Sequence, residues 1–183
     1  MSIEKLQANY PVQISYVVFP LHPETPLEGQ SLEDLFAGRD ITPMRERMKK
    51  LMAEAGLPYS NRTHTYNSRA AQELAKWAET QEGGAAIHDA LYHAYFVDNL
   101  NIADDEVLMK LVAKLGLDPQ NAREALHSGE FSAAVDADWQ RSRELGITGV
   151  PTFYSSDLMV VGCQPYEVLE KFVNHLQELN NDD

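Results

Sequence analysis

Apolar and polar positions alternate at the start of the chain. From Pro11 to Phe19, Val12, Ile14, Tyr16 and Val18 stand against Gln13, Ser15 and Val17. A period of two, rich in β-branched residues, predicts a strand. Pro20, Pro23 and Pro26 end it and open an irregular segment running through Gly29. Ahead of it, Ile3 to Asn9 has room for one or two helical turns. So short a helix is marginal alone, and it reads as the tail of a longer one.

The period then becomes helical. Thr42 is expected as an N-cap, with Pro43 at the first helical position. Met44, Met48, Leu51, Met52 and Ala55 keep a helical spacing that stops at Gly56. Asn67 or Ser68 opens a second helix with Ala71, Leu74, Ala75 and Ala78 on one face and Trp77 at its edge. Gly83-Gly84 separates it from a third, containing Ile87, Leu91, Ala94 and Tyr95. Asp104 caps a fourth, whose stripe is Val107, Leu108, Leu111, Val112 and Leu115, closed by Gly116. Asp118-Pro119 starts a fifth that ends near His127. A sixth runs from about Glu130 to Leu145, with Phe131, Val135, Trp139 and Ser142 in register.

After Gly146 the period shortens again. Thr152-Phe153-Tyr154 is a short strand, Ser155-Ser156-Asp157 a turn, and Leu158 to Val161 a second strand, together a hairpin. Gln164-Pro165 opens a last helix expected to bury Val168, Leu169, Phe172, Val173, Leu176 and Leu179. The tail, Asn180 to Asp183, is polar and expected to fray. This order predicts an α/β fold with a helical insertion. Residues 1–41 and 146–183 would form one α/β unit, and residues 42–145 the inserted helical subdomain.

Composition narrows the function. The 183 residues include 15 Lys and Arg against 28 Asp and Glu, a net charge of −13. Such a chain repels a phosphate backbone, so nucleic acid is not an expected partner. The cluster Arg45, Arg47, Lys49 and Lys50 is interrupted by Glu46 and flanked by Glu54, and reads as a solvated helix face. Cys163 is the one cysteine, so the chain can form no internal disulfide and no Cys-x-x-Cys pair. The first residues carry no apolar run typical of a signal peptide, and no run approaches the ~18 residues of a membrane span. A soluble cytoplasmic protein without membrane partners is the expectation.

Other groups add little chemistry. His22, His64, His88, His93, His127 and His175 are scattered, with no zinc spacing, so no metal site is expected. Asp89 and His93 are four apart and can pair. Asp104, Asp105 and Glu106 are explained by a helix start. No phosphate loop, dinucleotide fingerprint or hydrolase elbow occurs. Tyr92, Tyr95 and Phe96 stand together on one helix, and Phe19 ends the first strand; core packing is the preferred reading of all four, and the alternative is that the three rings line a cleft beside the inserted helices and Phe19 adds to an aromatic rim at the end of the first strand.

Several separated segments resemble one family. Gly146-Ile147-Thr148-Gly149-Val150-Pro151-Thr152-Phe153 is similar to the Gly-Val-Thr-Gly-Val-Pro-Thr-Phe element of the DsbA-like thiol–disulfide oxidoreductases, particularly their FrnE-like branch. That branch is related to the 2-hydroxychromene-2-carboxylate isomerases and kappa-class glutathione transferases. Asn67-Ser68-Arg69-Ala70-Ala71, Tyr95-Phe96, Leu100-Asn101-Ile102-Ala103-Asp104 and Gly162-Cys163-Gln164-Pro165-Tyr166 follow in the family's order.

The resemblance implies a thioredoxin-like fold with a helical insertion, here shortened at its N-terminal end. It implies a cis Pro151, with Val150, Pro151 and Thr152 presented to a bound peptide or thiol. The implied partners are protein or small-molecule thiols and disulfides. The family's Cys-Pro-x-Cys follows a first strand and opens a first helix, and Ile3 to Asn9 matches only the end of that helix. Neither cysteine, nor the serine that relatives use instead, has a counterpart here, so no residue receives a catalytic role. Dithiol exchange needs an activated thiolate and a resolving partner. Cys163 is expected to be a small buried or half-buried side chain instead.

The family label is therefore oxidoreductase, with the chain as written inactive in disulfide exchange. A non-catalytic thioredoxin-like module that binds a peptide or partner is the alternative. A glutathione-dependent isomerase or transferase relative is another, and only there is glutathione an expected cofactor. A missing strand between Val12–Phe19 and Thr152–Tyr154 leaves two backbone edges and an apolar gap. The two strands can close on each other, a partner chain can cover the gap, or the natural protein can begin upstream. For the chain given, a homodimer is expected.

Overall fold

The computed structural model describes residues 2–181. In chain order it contains α1 (Ser2–Asn9), β1 (Gln30–Ser31), α2 (Leu32–Leu35), α3 (Thr42–Glu54), β2 (His64–Thr65) and α4 (Arg69–Ala78). A single 3₁₀ turn at Gly84–Ala86 leads into α5 (Ile87–Phe96), then α6 (Asp105–Lys114), α7 (Pro119–Ser128) and α8 (Ser132–Glu144). The hairpin β3 (Thr152–Ser155) and β4 (Leu158–Val161) precedes α9 (Tyr166–Asn181). The fold is α/β and thioredoxin-like, with a helical insertion and two small antiparallel sheets, β1–β2 and β3–β4.

The chain divides into two compact units, Pro20–Asp138 and Met1–Phe19 with Trp139–Asp183. In the first, α4 to α7 supply a core in which Leu74, Ala78, Ile87, Leu108, Val112 and Ala122 are almost completely buried. Caps set their ends. Asp104 accepts from the Glu106 N–H, and Asp118 from the N–H groups of Gln120 and Asn121. The turn between α4 and α5 requires a glycine at position 84, because a Cβ there would come within 1.7 Å of the Ala78 carbonyl oxygen. Arg69 ties α4 to α8. Its guanidinium donates to Glu73 and Asp136, both at 2.6 Å, and to the Ser132 carbonyl at 2.9 Å.

In the second unit, α1 packs on α9 and the hairpin covers them. Leu6, Leu169 and Val173 are its buried cluster, with Ile3, Val12, Phe153 and Val160 packed against it. Polar contacts join the two helices: Asn9 donates to the Tyr166 hydroxyl at 2.9 Å, and Lys5 lies 3.8 Å above the Tyr166 ring.

Several expectations are corrected. Residues 11–19 form no strand and pair with no sheet among the described residues. Alternation supplies only the facing of side chains; a strand also needs a neighbouring edge to take its hydrogen bonds. The helical spacing from Met44 to Ala55 does give α3, whose Met44, Met48 and Leu51 are exposed. Ile41 rather than Thr42 holds its cap position, and the Asp40 carboxylate accepts from the Thr42 N–H. Val168 and Leu179 are exposed on α9. His93 pairs with Asp98, not Asp89, at 3.2 Å. Asn180 and Asn181 continue α9, whereas Asp182 and Asp183 lie outside the described residues.

Candidate functional site

The loop after α8 delivers residues 150–152 to the head of β3. Gly146 takes a left-handed φ of 67°, and the Val150–Pro151 bond is cis. The Thr152 hydroxyl donates to the Gly149 carbonyl at 2.8 Å, closing a local turn. Val150 is 52% exposed, Pro151 is exposed and Thr152 half-buried. The three residues thus form one accessible segment.

The hairpin register decides which backbone groups face outward. β3 pairs with β4 as Thr152↔Val161, Phe153↔Val160, Tyr154↔Met159 and Ser155↔Leu158. The Gly162 N–H donates to the Pro151 carbonyl at 2.8 Å. In an antiparallel ladder, bonded and non-bonded pairs alternate. Phe153 and Ser155 therefore bond to β4, while the N–H and C=O groups of Thr152 and Tyr154 point to the opposite edge. No strand flanks that edge among the described residues.

Beside it lies a groove of about 230 Å³. Val12, Gln13, Ile14 and Ser15 form one rim, and β3 forms the other. The floor is apolar, built by Ile3 and Leu6 of α1 and by Leu169, Phe172, Val173 and Leu176 of α9. None of the lining residues carries a charge. Just outside, acidic groups hold the phenols. Tyr154 donates to Asp157 at 2.7 Å, and this bond raises the phenol above its ordinary value. For Tyr166, the bond from Asn9 works downward, but burial and donation to Glu170 outweigh it and the phenol is raised.

Cys163 is free and exposed, on the loop between β4 and α9. The expected buried or half-buried position is thereby corrected: Gly162, at φ 90°, turns the chain away from the sheet before the cysteine. Among the described residues, no group of three or more His, Cys, Asp or Glu side chains converges on a metal position. No helix among them is long and apolar enough to cross a membrane.

The other unit holds an aromatic cluster. The Tyr95 and Phe96 rings meet edge-to-face at 4.9 Å, and Tyr92 stacks on Phe96 at 6.2 Å. The Arg62 guanidinium lies 4.3 Å from the Tyr95 centroid and bonds to its hydroxyl. Burial lowers the arginine's pKa, the cost of holding a cation on rings rather than in water. Tyr92 is exposed and Tyr95 half-buried, so the cluster is a partly wet layer rather than core. Sequence reasoning found the three rings but missed Arg62, which lies 33 residues from Tyr95 and leaves no periodic signal.

Residues 1–174 match the DSBA-like thioredoxin domain. The uncharacterized protein YwbO of Bacillus subtilis is 27% identical over 91% of this chain and 84% of its own length. The crystal structure of a probable DsbA oxidoreductase from Streptomyces coelicolor superposes with a TM-score of 0.84 at 26% identity, over 95% of this chain and 81% of that one. A 2-hydroxychromene-2-carboxylate isomerase structure shares the fold, with a TM-score of 0.74 at 21% identity over 98% and 89% of the two chains.

Proposed function

Since this chain belongs to the DSBA-like thioredoxin domain family and holds no dithiol, we propose that it is a non-catalytic member that binds a peptide or thiol partner along Val150, Pro151 and Thr152. The observation that carries this reading is the combination of an accessible 150–152 segment with a single cysteine placed on a different loop. Thiol–disulfide exchange by one protein molecule needs an attacking thiolate and a second thiol to resolve the mixed disulfide. Cys163 has no such neighbour within the sequence. Binding at residues 150–152 needs no dithiol, because it uses backbone groups and shape.

The relatives' names support an oxidoreductase ancestry rather than an oxidoreductase activity in this chain. Residence in the cytoplasm belongs to the same reading, in keeping with the absence of a cysteine pair.

The test is a disulfide reductase assay on the chain alone, with and without Cys163→Ala. No turnover above the uncatalysed rate is expected for either protein. Turnover that Cys163→Ala abolishes would sink the proposal. A glutathione titration followed by heteronuclear NMR supplies a second arm. Saturable shifts confined to residues 150–152 would instead favour the glutathione-dependent alternative.

A further inference from the structure

We infer that α3 is a docking helix, whose exposed Met44, Met48 and Leu51 face, bordered by arginines, receives an acidic amphipathic helix of a partner protein. The inference goes beyond the reading above, because α3 belongs to the helical unit and shares no residue with the 150–152 segment. Met44, Met48 and Leu51 recur at helical spacing and so share one face. They are 44%, 42% and 40% exposed, and none of the 13 residues of α3 is buried. A row of large apolar side chains rimmed by charge marks an interaction face. Two of the three are methionines, whose unbranched side chains adapt to the surface of a partner.

Charge selects the partner. α3 carries Arg45, Arg47, Lys49 and Lys50 against Glu46 and Glu54, in a chain with 28 acidic and 15 basic residues. Elsewhere in the helical unit Arg69, Lys76 and Arg123 each reach a carboxylate, at 2.6, 2.8 and 2.7 Å. On α3, Lys50 lies 3.8 Å from Glu54, but Arg45, Arg47 and Lys49 form no ion pair among the described residues. By helical period Arg47 falls on one border of the apolar face and Arg45 on the other. Arg45 is half-buried, and its Nε bonds to nothing among the described residues. A carboxylate brought from outside meets a guanidinium already partly stripped of water.

The form of the partner follows from hydrogen bonding and range. The backbone of α3 is closed within the helix, so the face offers side chains only. An extended segment laid there leaves its own amides unbonded, whereas a helix brings them already paired. The cations act over a screening length of ~8 Å in physiological salt, which a single helix fits within. An anionic membrane is an extended surface and confronts the net charge of −13. A second copy in a two-fold pairing sets one basic face on another.

The experiment uses the full chain and a fluorescein-labelled synthetic peptide of about 18 residues, some five helical turns. It carries leucine at i, i+3, i+4 and i+7 along one face and glutamate and alanine elsewhere. Fluorescence anisotropy gives the affinity, and heteronuclear NMR locates the site. Saturable binding is expected, with amide shifts centred on residues 44–55. Met48→Glu is expected to weaken binding about tenfold or more by placing a carboxylate in the apolar contact. The triple variant Arg45→Glu, Arg47→Glu, Lys49→Glu leaves the apolar face intact and is expected to weaken it about as much. Peptides with the same composition scrambled, or with lysine for glutamate, are expected to bind more weakly still. Circular dichroism unchanged from the parent shows that each variant folds.

Five results would each overturn the inference. They are no shift of the α3 amides at millimolar peptide, equal binding by the scrambled peptide, and parental affinity in both variants. The fourth is a dimer by sedimentation that Met48→Glu disperses, which assigns the face to a second copy. The last is binding to vesicles of phosphatidylcholine and phosphatidylserine that shifts the same amides, which assigns it to a membrane surface.

Discussion

The helical unit and the α/β unit solve the burial problem unequally. In residues 20–138, the backbone hydrogen bonds of α4 to α7 close within each helix, and side chains from four helices share one core. In the α/β unit, two strands stand where a sheet must satisfy its backbone laterally, and one edge of β3 is left facing a groove. Only Leu6, Leu169 and Val173 form its buried cluster among the described residues. A helix is complete in its own hydrogen bonding, but a strand is only as complete as its neighbours.

The strongest attack on this contrast is a pair of truncations. Leu108→Ala, in the closed helical core, is expected to cost about 4 kcal/mol, and Leu169→Ala, beneath the groove, about 2 kcal/mol. The difference arises because a cavity beside an open groove collapses or hydrates more readily than one enclosed on all sides. Thermal unfolding checks both, at roughly 2–4 °C per kcal/mol for a chain this long. Equal losses would break the contrast.

Arg69 tests whether the helical unit depends on its polar clamp as well as its core. Arg69→Ala leaves the buried Glu73 with the Ser132 hydroxyl alone, at 2.9 Å, and should cost about 2–3 kcal/mol. Arg69→Lys keeps the charge but loses the fork, and should fall between. A cost below ~1 kcal/mol for Arg69→Ala in denaturant unfolding would assign the stability of α4 to apolar packing only.

A smaller effect comes from caps. Asp118→Ala removes the acceptor for two N–H groups at the start of α7, with an expected loss of about 1 kcal/mol. No change in the unfolding midpoint would mean that α7 is held by its packing on α4 and α6.

The smallest concerns α3, whose apolar face is exposed. The Thr42 backbone N–H and hydroxyl hold the Asp40 carboxyl below its ordinary value of 3.8. The unfolded chain therefore binds the proton more readily. Asp40's contribution is full above about 3.8 and is lost as pH falls through the lower, folded value. An NMR titration of Asp40 should place its midpoint below that of an unfolded peptide. A midpoint at or above the peptide's would remove this cap from the account.

Much of this was legible before any coordinates. Asp104 and Asp118 announced α6 and α7, and Leu108, Leu111 and Val112 the buried stripe of α6, because capping and helical period act over a few residues. Gly146 to Phe153 identified the family segment, and its implied cis bond at Pro151 is present. The hairpin was readable from its turn, where Ser156 and Asp157 take positive φ. Three things were not readable. Arg62 reaches Tyr95, and Arg69 reaches Asp136, across long stretches of chain. The helical spacing of α3 did not show that none of its residues is buried.

The same division holds for the protein as a whole. By itself the sequence determined the helices, the hairpin, the family and the lack of a dithiol, since each depends on local spacing or on which residues are present. Whether residues 11–19 would be a strand was decided only in three dimensions. Their alternation is right for one, yet a strand needs a ladder of hydrogen bonds to a neighbouring strand, and among the described residues neither sheet includes them.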